Sequence, residues 1–151
     1  MTINPTTDEA RQLARTLLTG ARTAALAVTH PATGAPYVAR VAVVADGAAV
    51  LMLISTLSTH TQGLLKDPRC ALLLGEPGSK GDPLTHPRMT ISGTAAQVDK
   101  PAHKAAWLAA IPKAQLYYDF ADFGMYRLSP DAIDLNGGFG KAFRLGPDDL
   151  S

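Results

Sequence analysis

Residues 23–54 read TAALAVTHPATGAPYVARVAVVADGAAVLMLI, and the fold turns on how this stretch is parsed. Thr23 to Thr29 is a β-prone run closed by His30-Pro31-Ala32-Thr33-Gly34. Tyr37 to Ala45 is a second run, closed by Asp46-Gly47, and Ala49 to Ile54 is a third. Asp-Gly between two apolar runs signals a hairpin, because the tight turn needs positive φ, which glycine adopts at no steric cost. The links are too short for parallel crossovers, so the three runs predict an antiparallel meander.

Upstream, Thr6-x-x-Glu9 has capping-box spacing, and Asp8 and Glu9 suit a helix N-terminus. Ala10, Leu13, Ala14, Leu17 and Leu18 recur with helical period until Gly20, which predicts an amphipathic helix packed on the sheet. Downstream, Thr59-x-x-Gln62 is a second capping box, opening a short helix that Pro68 terminates. Arg69 to Leu74 is a strand, Glu76 to Pro87 a loop rich in Gly, Pro and Asp, and Arg88 to Val98 a long strand. Pro101 begins a helix through Ile111, with a second helical piece around Ala114 to Phe120. Phe123 to Leu135 is strand-like, and Asn136-Gly137-Gly138-Phe139-Gly140 turns into a last strand, Lys141 to Leu145. Many strands and few helices predict a mainly β (α+β) fold, with a closed or partly closed barrel removing exposed edges. Periodicity alone does not separate that barrel from a sandwich.

Length and composition narrow the function. At 151 residues the chain is expected to form one domain, residues 1–151. Fourteen basic residues against 13 acidic give a net charge of +1 without a basic stripe. A nucleic-acid partner is therefore not expected. The single Cys70 cannot form an intramolecular disulfide, which fits a reducing compartment. The N-terminus lacks a signal-peptide layout and no apolar run approaches about 20 residues, so a cytoplasmic protein without a membrane partner is expected. Charged residues make up only 18% and apolar ones 46%. So little surface charge points toward an oligomer.

Several short matches carry no chemistry. His30, His60, His86 and His103 are dispersed and never fall at metal-ligand spacing with Cys70, so no metal site is expected. Asp122-Phe123-Gly124 copies a kinase tripeptide without its companions. Gly137-Gly138-Phe139-Gly140-Lys141-Ala142 lacks the Ser or Thr and the following helix of a phosphate loop. Ser58 and His60 have no nucleophile elbow around them.

The segment Ser55 to Gln62 is more informative. Its hydroxyl residues precede a helix whose first turn leaves the backbone N–H groups of His60, Thr61 and Gln62 without helical partners. Such a start favours an anion. Arg40 sits mid-strand among apolar neighbours, and a phosphate would supply its partner. The competing reading has Arg40 facing solvent and the hydroxyls merely capping.

These residues carry a resemblance. Arg40-Val-Ala-Val-Val, Leu53-Ile-Ser-Thr-Leu-Ser-Thr-His-Thr-Gln, Asp67-Pro-Arg-Cys-Ala-Leu-Leu, and Gly81-Asp-Pro-Leu-Thr-His-Pro-Arg-Met-Thr-Ile-Ser-Gly-Thr-Ala occur in order. With Tyr117-Tyr-Asp-Phe-Ala-Asp-Phe and Gly137-Gly-Phe-Gly-Lys-Ala, they resemble the pyridoxamine 5′-phosphate oxidase-like FMN-binding split-barrel family, in its heme-utilisation branch. The resemblance implies a six-stranded antiparallel split β-barrel with short flanking helices, and a homodimer holding FMN at its interface. It implies cofactor contacts from Arg40, Val41, Ser55, Thr56, Ser58, His60, Thr61 and Gln62, with Arg88 and Phe139 nearing the flavin ring. Thr59 and His60 stand where true oxidases carry Arg-Lys. The tryptophan pattern that precedes the oxidase motif is missing before Arg127-Leu-Ser-Pro, so vitamin B6 oxidation is not expected. The implied function is a flavin-dependent oxidoreductase acting on a small-molecule substrate by hydride transfer. The alternative is a heme- or tetrapyrrole-binding module without flavin chemistry, and the third reading is a dimeric scaffold that binds nothing.

Overall fold

The computed structural model describes residues 2–151. In chain order its elements are β1 (Ile3–Asn4), α1 (Asp8–Gly20), β2 (Thr23–Thr29), β3 (Pro36–Asp46), β4 (Ala49–Ser55), α2 (Thr59–Lys66) and β5 (Arg69–Leu74). These are followed by β6 (Arg88–Val98), α3 (Lys104–Ala110), β7 (Phe123–Asn136) and β8 (Ala142–Leu145). The predicted meander is present: β2 pairs antiparallel with β3, and β3 with β4 across the two-residue turn Gly47-Ala48. Gly47 has φ 60° there, the left-handed conformation that the Asp-Gly signal anticipates.

The order β7-β4-β3-β2-β5-β6 closes through β6–β7 pairing into a six-stranded antiparallel barrel, with β8 and β1 added on the outer side of β7. β7 runs long because it serves three neighbours, β4, β6 and β8. Between Ser92 and Gly93 the β6–β7 register slips by one residue. A Cβ on Gly93 would lie 2.1 Å from the Ser129 carbonyl oxygen, so the two backbones touch where the bulge bends the wall.

Alternation decides what is inside. Ala24, Leu26 and Val28 of β2, and Met89, Ile91 and Ala95 of β6, join Val50, Met52 and Ile54 of β4 in one buried cluster. Ala10, Ala14 and Leu18 of α1 and Leu64 of α2 pack on the same cluster. β4 is buried on both faces. Its other side chains, Leu51 and Leu53, join Val44, Met125, Trp107, Ala114 and Tyr118 in a second cluster outside the barrel. The apolar run over residues 50–54, which does not alternate, is thus a strand covered twice. None of the helices among the described residues is long and apolar enough to cross a membrane.

Neither predicted capping box forms, and each helix cap lies one residue from its predicted place. Thr7, not Thr6, caps α1, its hydroxyl accepting from Ala10 N–H at 3.1 Å; the Thr6 hydroxyl donates to Arg144 O. Ser58 rather than Thr59 is the cap position of α2, and its side chain makes no capping bond. The Gln62 side chain reaches back to Thr56 O at 2.7 Å instead. The helix expected from Pro101 opens as a 3₁₀ turn, Pro101–His103, before α3. The second helical piece, expected around Ala114 to Phe120, is a 3₁₀ turn over Pro112–Leu116. β1 was not anticipated; a two-residue strand between Thr2 and Pro5 carries no period to read.

Candidate functional site

Arg40 and Val41 lie in the middle of β3, Ser55 ends β4, and Ser58 and His60 stand at the start of α2. The chain leaves β4 at Ser55 and turns at once into α2, with Ser58 N–H bonded to Ser55 O. That sharp junction brings strand and helix residues to one open hollow of about 320 Å³. Arg40, Val41, Ser55, Ser58 and His60 line it together with Ala42, Leu53, Ile54, Tyr117 and Phe123. The floor is apolar, and Arg40 is the one lysine or arginine in the lining.

The hydroxyl-rich segment is partly spent on its own structure. Ser55 Oγ accepts from Leu57 N–H at 3.2 Å and lies 3.5 Å from Asp122 Oδ2. Thr56 N–H donates to Asp122 O at 2.7 Å, so Thr56 fixes the junction and is absent from the hollow's lining. Gln62 N–H donates to Ser58 O at 3.1 Å, which corrects the expectation that it is open for an anion. Among the described residues, the N–H groups of Thr59, His60 and Thr61 keep no such backbone partner. Thr61 is fully buried, and its hydroxyl has no partner among the described residues. Burial pushes the His60 imidazole below its ordinary value, which favours the neutral ring.

Arg88 and Phe139 do not line this hollow. Ser55 pairs with Phe123 at one end of β7, whereas Arg88 pairs with Asn136 at the other end. The Arg88 guanidinium donates to Leu84 O at 2.9 Å and lines a separate hollow of about 250 Å³ beside Asp134. Phe139 is 69% exposed in the glycine turn. Arg127 is committed to Asp46 through its Nε and Nη2, at 3.0 and 2.6 Å, near the β3–β4 turn.

Sequence reasoning missed the site's aromatic wall. Tyr117 and Phe123 pack with ring centroids 5.3 Å apart, and Phe120 lies 6.3 Å from Phe123. Beyond Tyr117 a second, more apolar hollow of about 450 Å³ adjoins the first, sharing Ala42 and Tyr117 and reaching Ile111, Pro112, Lys113 and Arg22. The signal was available in the Tyr117–Phe123 stretch, which is dense in aromatics. An irregular turn has no period to say which rings face the strands. Asp122, quoted in the sequence only within a chance tripeptide and the aromatic segment, holds the junction after β4.

The groove therefore offers one arginine, one neutral imidazole, flat aromatic walls and a few hydroxyls. That set suits a large planar anion held mainly by apolar contact.

Among known proteins, the chain is 37% identical over 111 residues to a non-canonical heme oxygenase of Arabidopsis thaliana chloroplasts, the match covering 71% of this chain and 32% of the plant protein. A heme binding protein from Mycobacterium smegmatis superposes with a TM-score of 0.86 at 26% identity, covering 99% of this chain and 61% of that one. The chain thus spans about a third of the plant relative and under two thirds of the mycobacterial one. A further solved chain, 43% identical, superposes with a TM-score of 0.90 over 96% of this chain and 97% of its own length. The family model for pyridoxamine 5′-phosphate oxidase matches residues 10–136, from α1 to the end of β7. With that span and the closed six-stranded barrel, the chain belongs to the pyridoxamine 5′-phosphate oxidase family.

Proposed function

We propose that this protein binds heme, or a closely related tetrapyrrole, in the groove between β3, α2 and Tyr117, as a homodimer. The carrying observation is the composition of the groove: Arg40 is its one fixed cation, opposite an apolar floor and the Tyr117–Phe123 wall. A propionate carries a single charge, which one guanidinium neutralises in a charge-assisted bond. The rings supply the flat apolar surface that a macrocycle needs. The names of the plant and mycobacterial relatives point the same way. Bound heme supplies a redox-active iron and an oxidisable ring, the chemistry named for the plant relative; the chain's own part is to hold and orient it.

FMN is the second reading, favoured by the unpartnered N–H groups of Thr59, His60 and Thr61 at the start of the helix whose Ser58 and His60 line the hollow with Arg40. Two features weigh against a dianionic phosphate. The Asp122 carboxylate sits beside Ser55, and burial leaves His60 uncharged. Under either reading Arg88 and Phe139 would reach the ligand from the second copy, because within one copy they lie at the far end of β7.

Parallel titrations of the purified chain with hemin and with FMN, followed by desalting, test this. Hemin retained with a sharpened Soret band supports the heme reading. FMN retained with hemin excluded reverses the order, and a monomer by light scattering at micromolar concentration removes the dimer.

A further inference from the structure

We infer that His60 is the protein ligand to the iron of a heme bound in this groove. The inference rests on the heme reading above and adds the residue that would coordinate the metal.

Tautomer logic narrows the choice among the four histidines. A ligating imidazole offers the lone pair of one ring nitrogen while the other carries the proton. His30 Nδ1 accepts the N–H groups of Ala32 and Thr33 at 3.1 and 3.3 Å. Its proton must therefore sit on Nε2, which leaves that nitrogen no lone pair to give. His86 is tied at both nitrogens, Nδ1 accepting Gly78 N–H at 2.7 Å and Nε2 lying 2.6 Å from Lys80 O. Its proton sits on Nε2 for the same reason. His103 follows Pro101 in the 3₁₀ turn before α3 and lines neither the Arg40 hollow nor the one adjoining it.

His60 differs from His30 and His86 in its unbonded ring and from His103 in its place. Neither of its ring nitrogens is bonded to another described residue, so either tautomer is open to it. It lines the hollow that holds Arg40, and the aromatic pair Tyr117–Phe123 lines the same hollow. Its backbone is fixed at the second residue of α2, just after the β4 junction, which limits where the ring can swing. Coordination moves no electrons between centres. The imidazole lone pair enters an open or water-filled position on the ferric ion, and any water there leaves intact. Arg40, on the neighbouring strand, is placed to pair with a propionate at the rim.

The test is resonance Raman and visible spectroscopy of the full chain titrated with hemin and then reduced. Wild type, His60→Ala, His60→Gln, His103→Ala and Tyr117→Phe are compared, with circular dichroism confirming that each variant is folded. The expected result is an iron–histidine stretching band in wild type and His103→Ala. Both His60 variants should lose the band, bind hemin about tenfold or more weakly, and respond to free imidazole by recovering a histidine-like spectrum. Retention of the band in folded His60→Ala or His60→Gln overturns the inference. So does its loss in His103→Ala, or a tyrosinate spectrum in wild type that Tyr117→Phe abolishes. In those cases heme binding itself still stands; a wild-type chain that takes up no hemin overturns both.

Discussion

Ser55 and Asp122 meet where β4 ends, the hydroxyl 3.5 Å from the carboxylate oxygen and already holding the Leu57 N–H. On the FMN reading, this pair puts a carboxylate beside the phosphate, where it would act against a dianion. Replacing the carboxylate by its neutral amide, Asp122→Asn, should tighten FMN about fivefold by removing a repulsion of roughly 1 kcal/mol, while hemin affinity changes less. Equal effects on both ligands, measured by equilibrium titration, would show that Asp122 acts only through the fold.

Arg40 is exposed and makes no hydrogen bond to another described residue, so its truncation should leave stability within about 0.5 kcal/mol of wild type. Ligand affinity is a different matter. A lost charge-assisted bond of about 1.5–3 kcal/mol corresponds to roughly ten- to hundredfold weaker hemin binding in Arg40→Ala. Trp107 is the single tryptophan and is fully buried behind Leu51 and Leu53, so its quenching by hemin gives a direct readout. Unaltered quenching curves in Arg40→Ala would take the arginine out of the site.

Gly93 has no room for a side chain. The Cβ of Gly93→Ala would fall 2.1 Å from Ser129 O, at the bulge that lets β6 and β7 close the barrel. Backbone must move to admit it, and a loss of about 3 kcal/mol in a urea melt is expected. A melt indistinguishable from wild type would mean that the wall yields there.

Cys70 faces partly buried surroundings that push its thiol from 9.0 up to about 12. Burial is the main cause, with the Asp67 charge adding to it. The folded thiol therefore stays protonated at pH 8 and should react with iodoacetamide about tenfold or more slowly than the urea-unfolded chain. The sign for stability follows from linkage: the folded state holds its proton more tightly, so this contribution is complete below pH 9 and lost as pH rises toward 12. Fast labelling of the native protein at pH 8 would contradict it.

Much of this architecture is legible in the sequence. The strand Arg69–Leu74 and the strand Arg88–Val98 have the predicted bounds, because each is a β-prone run stopped by turn residues on both sides. Helix starts were read one residue early or late. Adjacent hydroxyls, Thr6-Thr7 and Ser58-Thr59, are equally good caps locally, and only packing chooses between them. The pairing of β6 with β7 could not be read at all, since nothing local says which distant strand completes a barrel. Arg40, Ser55, Ser58 and His60 do line one hollow, and the last three could be grouped from sequence because a strand-to-helix junction is a local motif. Tyr117 could not, because its place depends on how a 3₁₀ turn folds over strands some 60 residues earlier in the chain.

The double burial of β4 has a dynamic meaning. Leu53 and Ile54, which floor the groove, are flanked on one side by the barrel interior and on the other by the layer around Trp107. Neither layer can loosen without dragging this strand along, so its amides should exchange with deuterium only when the whole molecule opens. Whatever ligand settles against that floor meets a surface as rigid as the protein possesses, and any adjustment to fit must come from α2 and the aromatic turn.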